Sequence, residues 1–466
     1  MQTENFSLSI AKNLPFTEAK IYISKYFTPL YNGSHALLKD AKYEIIDDVI
    51  LKKTYFARLS KEINGYYFHE IDVLKNVVYK LNKELFYDDN INLCPRLKHV
   101  YKSKSEFDQK THQAVNLMLD FILEVICSGN KESFNFVIKW FANMARGNKN
   151  NSCIYLKGVQ GLGKSTLPQF ISKYVIGNDL CLESGSEPLK SKFNSILAGK
   201  LFVVFEELEN VSSSEWSSMS SILKRYITSD KIVIEEKNKN SLETDNLNNI
   251  MIISNNDAIK DEDGRRFFIA DLSTKRQQDH QYFKILYDTC FNNECGECFY
   301  SYLLDVNVEH FNPQSFPMTN NKLDAISKRL DSVYQFLKEE YILKRKDINM
   351  SVQDLYDAYS KSMEEKKKYN KIDFNKLLKT ININHYKSNG INKYKITSID
   401  LLVIANKLNW IHELDEFEEH IVIDEFEEDT DFKTLYEALF IEHNKLKAKN
   451  MKMKNMYAID LNILDV

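Results

Sequence analysis

The sequence predicts an α/β protein: a P-loop core whose parallel sheet is covered by helices, a helical N-terminal region before it, and a C-terminal winged-helix-like domain. Three observations carry that expectation. Short apolar, β-rich runs (SCIYLKG, KLFVVFEE and NIMIISNN) alternate with helical segments from residue 151 onward. A glycine-rich octapeptide follows the first run and leads into a helical pattern. Three helical patterns then precede a hairpin signal nearer the C-terminus.

Composition sets the outer limits. A chain of 466 residues and 54.6 kDa has room for about three domains. It is 43% hydrophobic and 27% charged, too apolar for a disordered chain. Only 13 Gly and 7 Pro favour long helices over elaborate loops. The start, MQTENFSLSIAKNLPF, lacks the basic-then-apolar order of a secretory signal, and no apolar run approaches the roughly 18 residues of a membrane span. Seven cysteines, an odd number, fit a reducing compartment, so a cytoplasmic or host-cell interior location is expected. A net charge of −4 excludes a globally basic nucleic-acid binder but leaves room for a local basic channel.

Along the chain, residues 1–104 form a mixed α+β region to which the sequence assigns no role. Residues 42–51 and 66–74 are expected to be strands, with an Asn64-Gly65 turn before the second. The acidic pairs Asp47-Asp48 and Asp88-Asp89 suit solvated turns better than a metal site. Residues 105–150 form a helical, collar-like lead-in. Its first helix ends at Ser128-Gly129-Asn130, and the second buries Phe134, Val137, Ile138 and Phe141, with Trp140 in the same layer.

The core spans residues 151–320, and residues 321–410 form the winged-helix-like domain. There, residues 325–337 are expected to be one amphipathic helix, Ser351 and Asp354 form a capping box, and Asn389-Gly390 turns a hairpin. Residues 344–395 carry 13 basic and 6 acidic side chains, the local surplus that a nucleic-acid-facing module needs. Residues 411–432 invert that balance, with 11 carboxylates and no Lys or Arg, as an acidic linker does. A basic helical tail, residues 433–466, follows.

The chemistry is concentrated in the core. Gly158-Val159-Gln160-Gly161-Leu162-Gly163-Lys164-Ser165 matches the phosphate-binding pattern G-x-x-x-x-G-K-[ST], after a strand and before a helix. Gly158, Gly161 and Gly163 let backbone N–H groups wrap phosphates at a helix N-terminus, where Thr166 also sits. Lys164 supplies a charge to the β- and γ-phosphates of ATP, and the Ser165 hydroxyl ligates Mg²⁺. The run ending Glu206-Glu207 delivers two carboxylates to the strand end where ligands sit in open α/β sheets. Glu206 is assigned to the Mg²⁺ shell and Glu207 to polarising the attacking water. Asn255, with Asn256 as its alternative, is a neutral sensor of the γ-phosphate and lytic water. Gly264-Arg265-Arg266-Phe267-Phe268 offers two guanidinium groups before a further strand, either of which suits an arginine finger acting on a neighbouring subunit. Cys290, Cys295 and Cys298 have zinc-like spacing without a fourth ligand nearby, and the segment reads as a loop entering a helix.

This order of motifs, P-loop, Glu-Glu strand, Ser-Asn strand and Gly-Arg-Arg-Phe, resembles that of superfamily 3 helicases. Within them it is most similar to the branch of poxvirus-type primase-helicases and related phage, virophage and plasmid replication proteins. The likeness extends over roughly residues 90–410 and includes the lead-in FILEVICSGNKESFNFVIKWFANMARG. It implies an AAA+-type hexameric ring, ATP hydrolysis at subunit interfaces, 3′→5′ movement on single-stranded DNA, and a DNA-gripping hairpin between the two motif strands. KIVIEEKNKN, residues 231–240, fits that hairpin, with Lys237 and Lys239 carried over as backbone-phosphate contacts. Relatives often carry a primase, but residues 1–104 lack an Asp-x-Asp followed by Ser-x-His, so a separate primase or polymerase is an expected partner. The leading expectation is a replicative DNA helicase acting on single-stranded and forked DNA. The alternatives are an origin-binding or loading ATPase and, less well matched, an RNA-virus NTPase.

Overall fold

The computed structural model describes residues 5–418, apart from 32, 41, 75, 207, 209–212, 238–240, 256–265, 328–329, 363–367, 409 and 413, and apart from the side chains of 213–217 and 324–327. One compact unit, Met1–Glu416, contains nearly all of these residues. Most of the acidic stretch 411–432 and all of the tail 433–466 lie outside the described residues.

A five-stranded sheet organises the core. Its strands, numbered in chain order, are β1 (Cys153–Lys157), β2 (Cys181–Ser184), β3 (Phe202–Glu206), β4 (Asn249–Ser254) and β5 (Phe267–Asp271). They lie in the order β5-β1-β4-β3-β2, and every pairing is parallel. Continuous apolar runs form these strands because both faces are covered. Ile154, Leu156, Val204 and Ile253 point to one side, toward the helices α1 (Gln109–Phe121), α2 (Lys131–Ala145), α3 (Thr166–Phe170), α5 (His280–Cys290) and α6 (Asn293–Asp305). Tyr155, Val203, Phe205 and Ile252 alternate to the other side, toward α4 (Ser213–Thr228).

The lead-in is tied to the far end of the core. Trp140 is fully buried, its ring 5.3 Å from Phe141 and 6.4 Å from Phe202. Arg146 caps the end of α6, donating to the carbonyls of Leu303, Leu304 and Val306 at 2.9, 2.5 and 2.7 Å. Gly296 lets α6 lie directly on the helical turns Ile171–Ile176 that continue α3, because a methyl group there would run into the Tyr174 carbonyl.

Three expectations are corrected. Residues 66–74 are not a strand: Tyr66 to His69 close the helix Lys61–His69, which contains Asn64 and Gly65. Ser60 caps it by accepting from Ile63 N at 3.2 Å, and the buried Ile63 and Tyr67, one turn apart, decide the issue over the Asn-Gly turn signal. The strand expected over 42–51 stops at Ile46, where the Asp47 side chain accepts from Ile50 N at 2.8 Å and starts a helical turn. The single helix expected over 325–337 is two, Asn320–Ser327 and Ser332–Leu337. Asp331 caps the second through Val333 N at 3.0 Å, while Asp271, at the end of β5, accepts from Asn320 N and Asn321 N at 2.7 Å and anchors the first.

Farther on, helix Val352–Ser362 begins at Ser351, whose hydroxyl accepts from Asp354 N at 3.1 Å. Helix Lys371–Thr380 follows, and strands Tyr386–Ser388 and Ile391–Ile396 pair through the positive-φ turn Asn389-Gly390. Strand Ile348–Ser351 completes this small antiparallel sheet.

Gly296→Ala tests the α6 contact. Overpacking against backbone should cost about 1–3 kcal/mol, read as a lower thermal midpoint by circular dichroism.

Candidate active site at the strand ends

The loop Gly158 to Ser165 leaves the C-terminal end of β1 and enters α3. Gly161 and Gly163 adopt φ of +85° and +78°, the left-handed region that glycine enters without strain. Gly163 has a second constraint, because the Phe283 ring of α5 covers the position where a side chain would begin. Neighbouring residues fasten the loop: Gly158 N donates to Ser254 O at 3.2 Å, Gln278 N to Gly161 O at 3.0 Å, and Thr166 N to Gly163 O at 3.1 Å. Thr166 is buried, its hydroxyl 3.3 Å from that of Tyr287. Ser165 is half-buried at the mouth of the helix.

Lys164 is only 8% exposed, unusual for a lysine. Its ammonium donates to Gly158 O at 2.5 Å, to Val159 O at 2.7 Å and to the side-chain oxygen of Asn255 at 2.7 Å. The last bond joins the tip of β4 to the loop that follows β1, across 91 residues of sequence.

Register brings Glu206 to the same edge. Leu156, Ile253 and Glu206 are successive Cα partners across β1, β4 and β3. Alternation along β3 puts Phe205 on the α4 side, so Glu206 belongs to the face occupied by α3, the glycine loop and Asn255. Sequence reasoning missed a second carboxylate here. Glu183 lies on the neighbouring β2, and burial followed by the Glu206 charge raises its pKa above the usual carboxylate range. A hydrogen bond with Ser172, on the turns that continue α3, opposes that rise. The missed signal was CLES, too short a run to locate β2's neighbour without the sheet order.

Arg266 sits elsewhere. Its carbonyl accepts from Cys153 N at 2.7 Å, so it stands where β5 and β1 begin. A five-residue strand separates that edge from the glycine loop, about 16 Å at 3.3 Å per residue. Within one chain its backbone therefore stands a strand's length from the loop that carries Lys164. Lys237 is exposed just past the antiparallel ribbon Lys231–Ile234/Leu242–Asp245. That ribbon fills the expected hairpin position, burying Ile232 and Ile234 on the α4 side. Glu207, Asn256, Arg265 and Lys239 lie outside the described residues.

Cys290, Cys295 and Cys298 are not in a loop but occupy the buried elbow between α5 and α6. The Cys290 thiol donates to Ala114 O at 3.2 Å, and burial pushes the Cys298 thiol up to about 11. Among the described residues no group of three or more His, Cys, Asp or Glu is placed to hold a metal, and no helix is long and apolar enough to cross a membrane.

Residues 156–266 match a family model described as "Family of unknown function (DUF5906)". The chain is homologous to the DNA primase-polymerase of Nitratiruptor phage NrS-1, at 26% identity over 206 residues. That match covers 43% of this chain and only 28% of the phage protein. Two solved apo structures of the NrS-1 C-terminal region share the α/β fold, with TM-scores of 0.59 and 0.55. Both are 17% identical, covering 81% of this chain and 98% or 97% of theirs.

Gly163→Ala puts a methyl group against Phe283 and strains a left-handed backbone. Faster amide exchange over residues 158–166, by about tenfold or more, is the expected result by hydrogen–deuterium exchange.

Proposed function

We propose that this chain is an ATP-dependent DNA helicase of the superfamily 3 type, with an AAA+-like P-loop core, acting as a ring in viral, phage or plasmid DNA replication. The observation that carries the reading is the 2.7 Å bond from the Lys164 ammonium to the Asn255 amide oxygen. It unites, at one sheet edge, the two residues that a phosphate charge clamp and a γ-phosphate sensor require. Homology to a phage DNA primase-polymerase supports a place in DNA replication.

In this reading Lys164 exchanges its loop carbonyls for the β- and γ-phosphate oxygens of ATP, while the backbone N–H groups of the glycine loop wrap them. Ser165 and Glu206 would hold Mg²⁺, which would supply charge neutralisation at the phosphate oxygens. Asn255 then orients the lytic water beside Glu207. An arginine, Arg265 or Arg266, enters from a neighbouring copy, in keeping with the placement of Arg266 at the opposite sheet edge. Hydrolysis is thus completed only between subunits, in a homo-hexamer on the family pattern. Lys237 and Lys239 grip the backbone of single-stranded DNA moving 3′→5′, in concert with a separate primase or polymerase. A few lysines per subunit, repeated around a ring, reconcile DNA binding with a net charge of −4.

A second reading, an origin-binding or loading ATPase, is favoured by the winged-helix order of elements from Ser332 to Ile396 and by their 13 basic side chains between residues 344 and 395. It predicts tight duplex binding without strand displacement.

Lys164→Ala is expected to abolish ATP hydrolysis in a phosphate-release assay. Arg266→Ala should retain nucleotide binding by calorimetry yet lose turnover by about 10³-fold if Arg266 is the finger. The double variant Lys237→Ala/Lys239→Ala should hydrolyse ATP but fail to separate a forked duplex, and normal unwinding by it removes the hairpin from the mechanism.

A further inference from the structure

The ribbon Lys231–Ile234/Leu242–Asp245 leaves the core between the last turn of α4 and the start of β4. Both roots are held by a buried polar lattice that the motifs do not explain. Asn246 N donates to Asp230 O at 2.8 Å and closes the ribbon base. The Asn246 side chain donates to Tyr226 O at 2.8 Å and Ser229 O at 2.7 Å. Asn194, 3% exposed, grips one strand from outside, donating to Val233 O at 2.9 Å and accepting from Glu235 N at 2.8 Å.

Lys149 links the two roots. Its ammonium donates to Tyr226 O, in the last turn of α4, at 2.8 Å, and to Asn248 O, one residue before β4, at 3.0 Å. Burial, opposed by the charge of Asp230, pushes that ammonium's pKa down to about 7. The flanking backbone is equally fixed: Asn150 N donates to the Asn249 side chain at 2.7 Å, which in turn donates to Asn148 O at 3.1 Å. Three residues after Asn150, β1 begins, and its far end is the glycine loop carrying Lys164.

We infer that Lys149 is a positioning residue that couples the glycine loop to the hairpin, so that the two move as one body through β1. A strand hydrogen-bonded on both sides, as β1 is by β4 and β5, resists stretching and carries a displacement from one end to the other. Without the lysine the ribbon keeps its own ladder, its Asn194 contact and the Asn249 bonds at the β4 root, but the 148–150 segment loses its Lys149 bonds to Tyr226 O at the α4 root and to Asn248 O. The inference rests on the proposed reading of the loop as the ATP site and of the hairpin as the DNA contact.

The test uses the full chain with Lys149→Met, and Lys149→Arg as the conservative variant. The measurements are ATP turnover without DNA, affinity for a fluorescent single strand, base pairs separated per ATP on a forked duplex, and amide exchange over residues 229–247. Lys149→Met should keep turnover and strand affinity within about twofold, speed exchange at the hairpin roots about tenfold, and separate at least about fivefold fewer base pairs per ATP, with Lys149→Arg recovering part of the loss. Unwinding per ATP equal to wild type overturns the coupling alone. A parallel fall of turnover, affinity and thermal midpoint also overturns it, since that marks a merely structural lysine. If Lys149→Met does not fold, Asn246→Ala, which loosens the same Tyr226 carbonyl, decides by the same ratio. No ATP hydrolysis by the wild type, or normal unwinding by Lys237→Ala/Lys239→Ala, overturns the reading beneath and the coupling with it.

Discussion

The Lys164 ammonium, held by two loop carbonyls at 2.5 and 2.7 Å and by Asn255 at 2.7 Å, is the point on which the candidate site depends. A cation with so little exposure must have its charge satisfied by oxygen atoms. The loop must therefore curl back over it, with Gly161 and Gly163 supplying the left-handed backbone, and β4 must end with Asn255 within reach. The sheet order meets the second requirement by placing β4 directly beside β1. Glu206 and Glu183 follow on β3 and β2, so negative charge accumulates on the side of the lysine away from β5.

The two edges of the same sheet have different characters. At the C-terminal edge Lys164, Glu206 and Glu183 bring charge beside the neutral Asn255. At the N-terminal edge they are mostly buried amides: Asn194, Asn246, Asn248 and Asn249 are each no more than 3% exposed and bond to backbone. Amides satisfy buried carbonyl and N–H groups without the desolvation cost of a charge, which suits a rigid foundation. Lys149 is the ionisable side chain in that foundation, and burial pulls its pKa down.

Much of this was legible in the chain. Octapeptide spacing located the loop and apolar run length located β1, β3 and β4, because each is a local pattern with a local cause. Residues 66–74 were misread for the opposite reason. Asn64-Gly65 carries a turn signal, yet the Ser60 cap and the burial of Ile63 and Tyr67 beneath neighbouring elements outweigh it. The break between the helices Asn320–Ser327 and Ser332–Leu337 was hidden too, since Asp271, 49 residues upstream of Asn320, anchors the first of them.

By itself the sequence determined which residues have chemistry to offer: a lysine after glycines, carboxylates and an amide at strand ends, arginines before a strand. Tertiary structure alone decided which of them meet. Lys164 and Asn255 are 91 residues apart and come together only because β4 inserts beside β1. Arg266, 12 residues from the end of β4, is sent to the other edge because parallel strands all start on the same side. Pairing order and strand direction are properties of the whole sheet, fixed by burial on both of its faces, and no local stretch of residues encodes them.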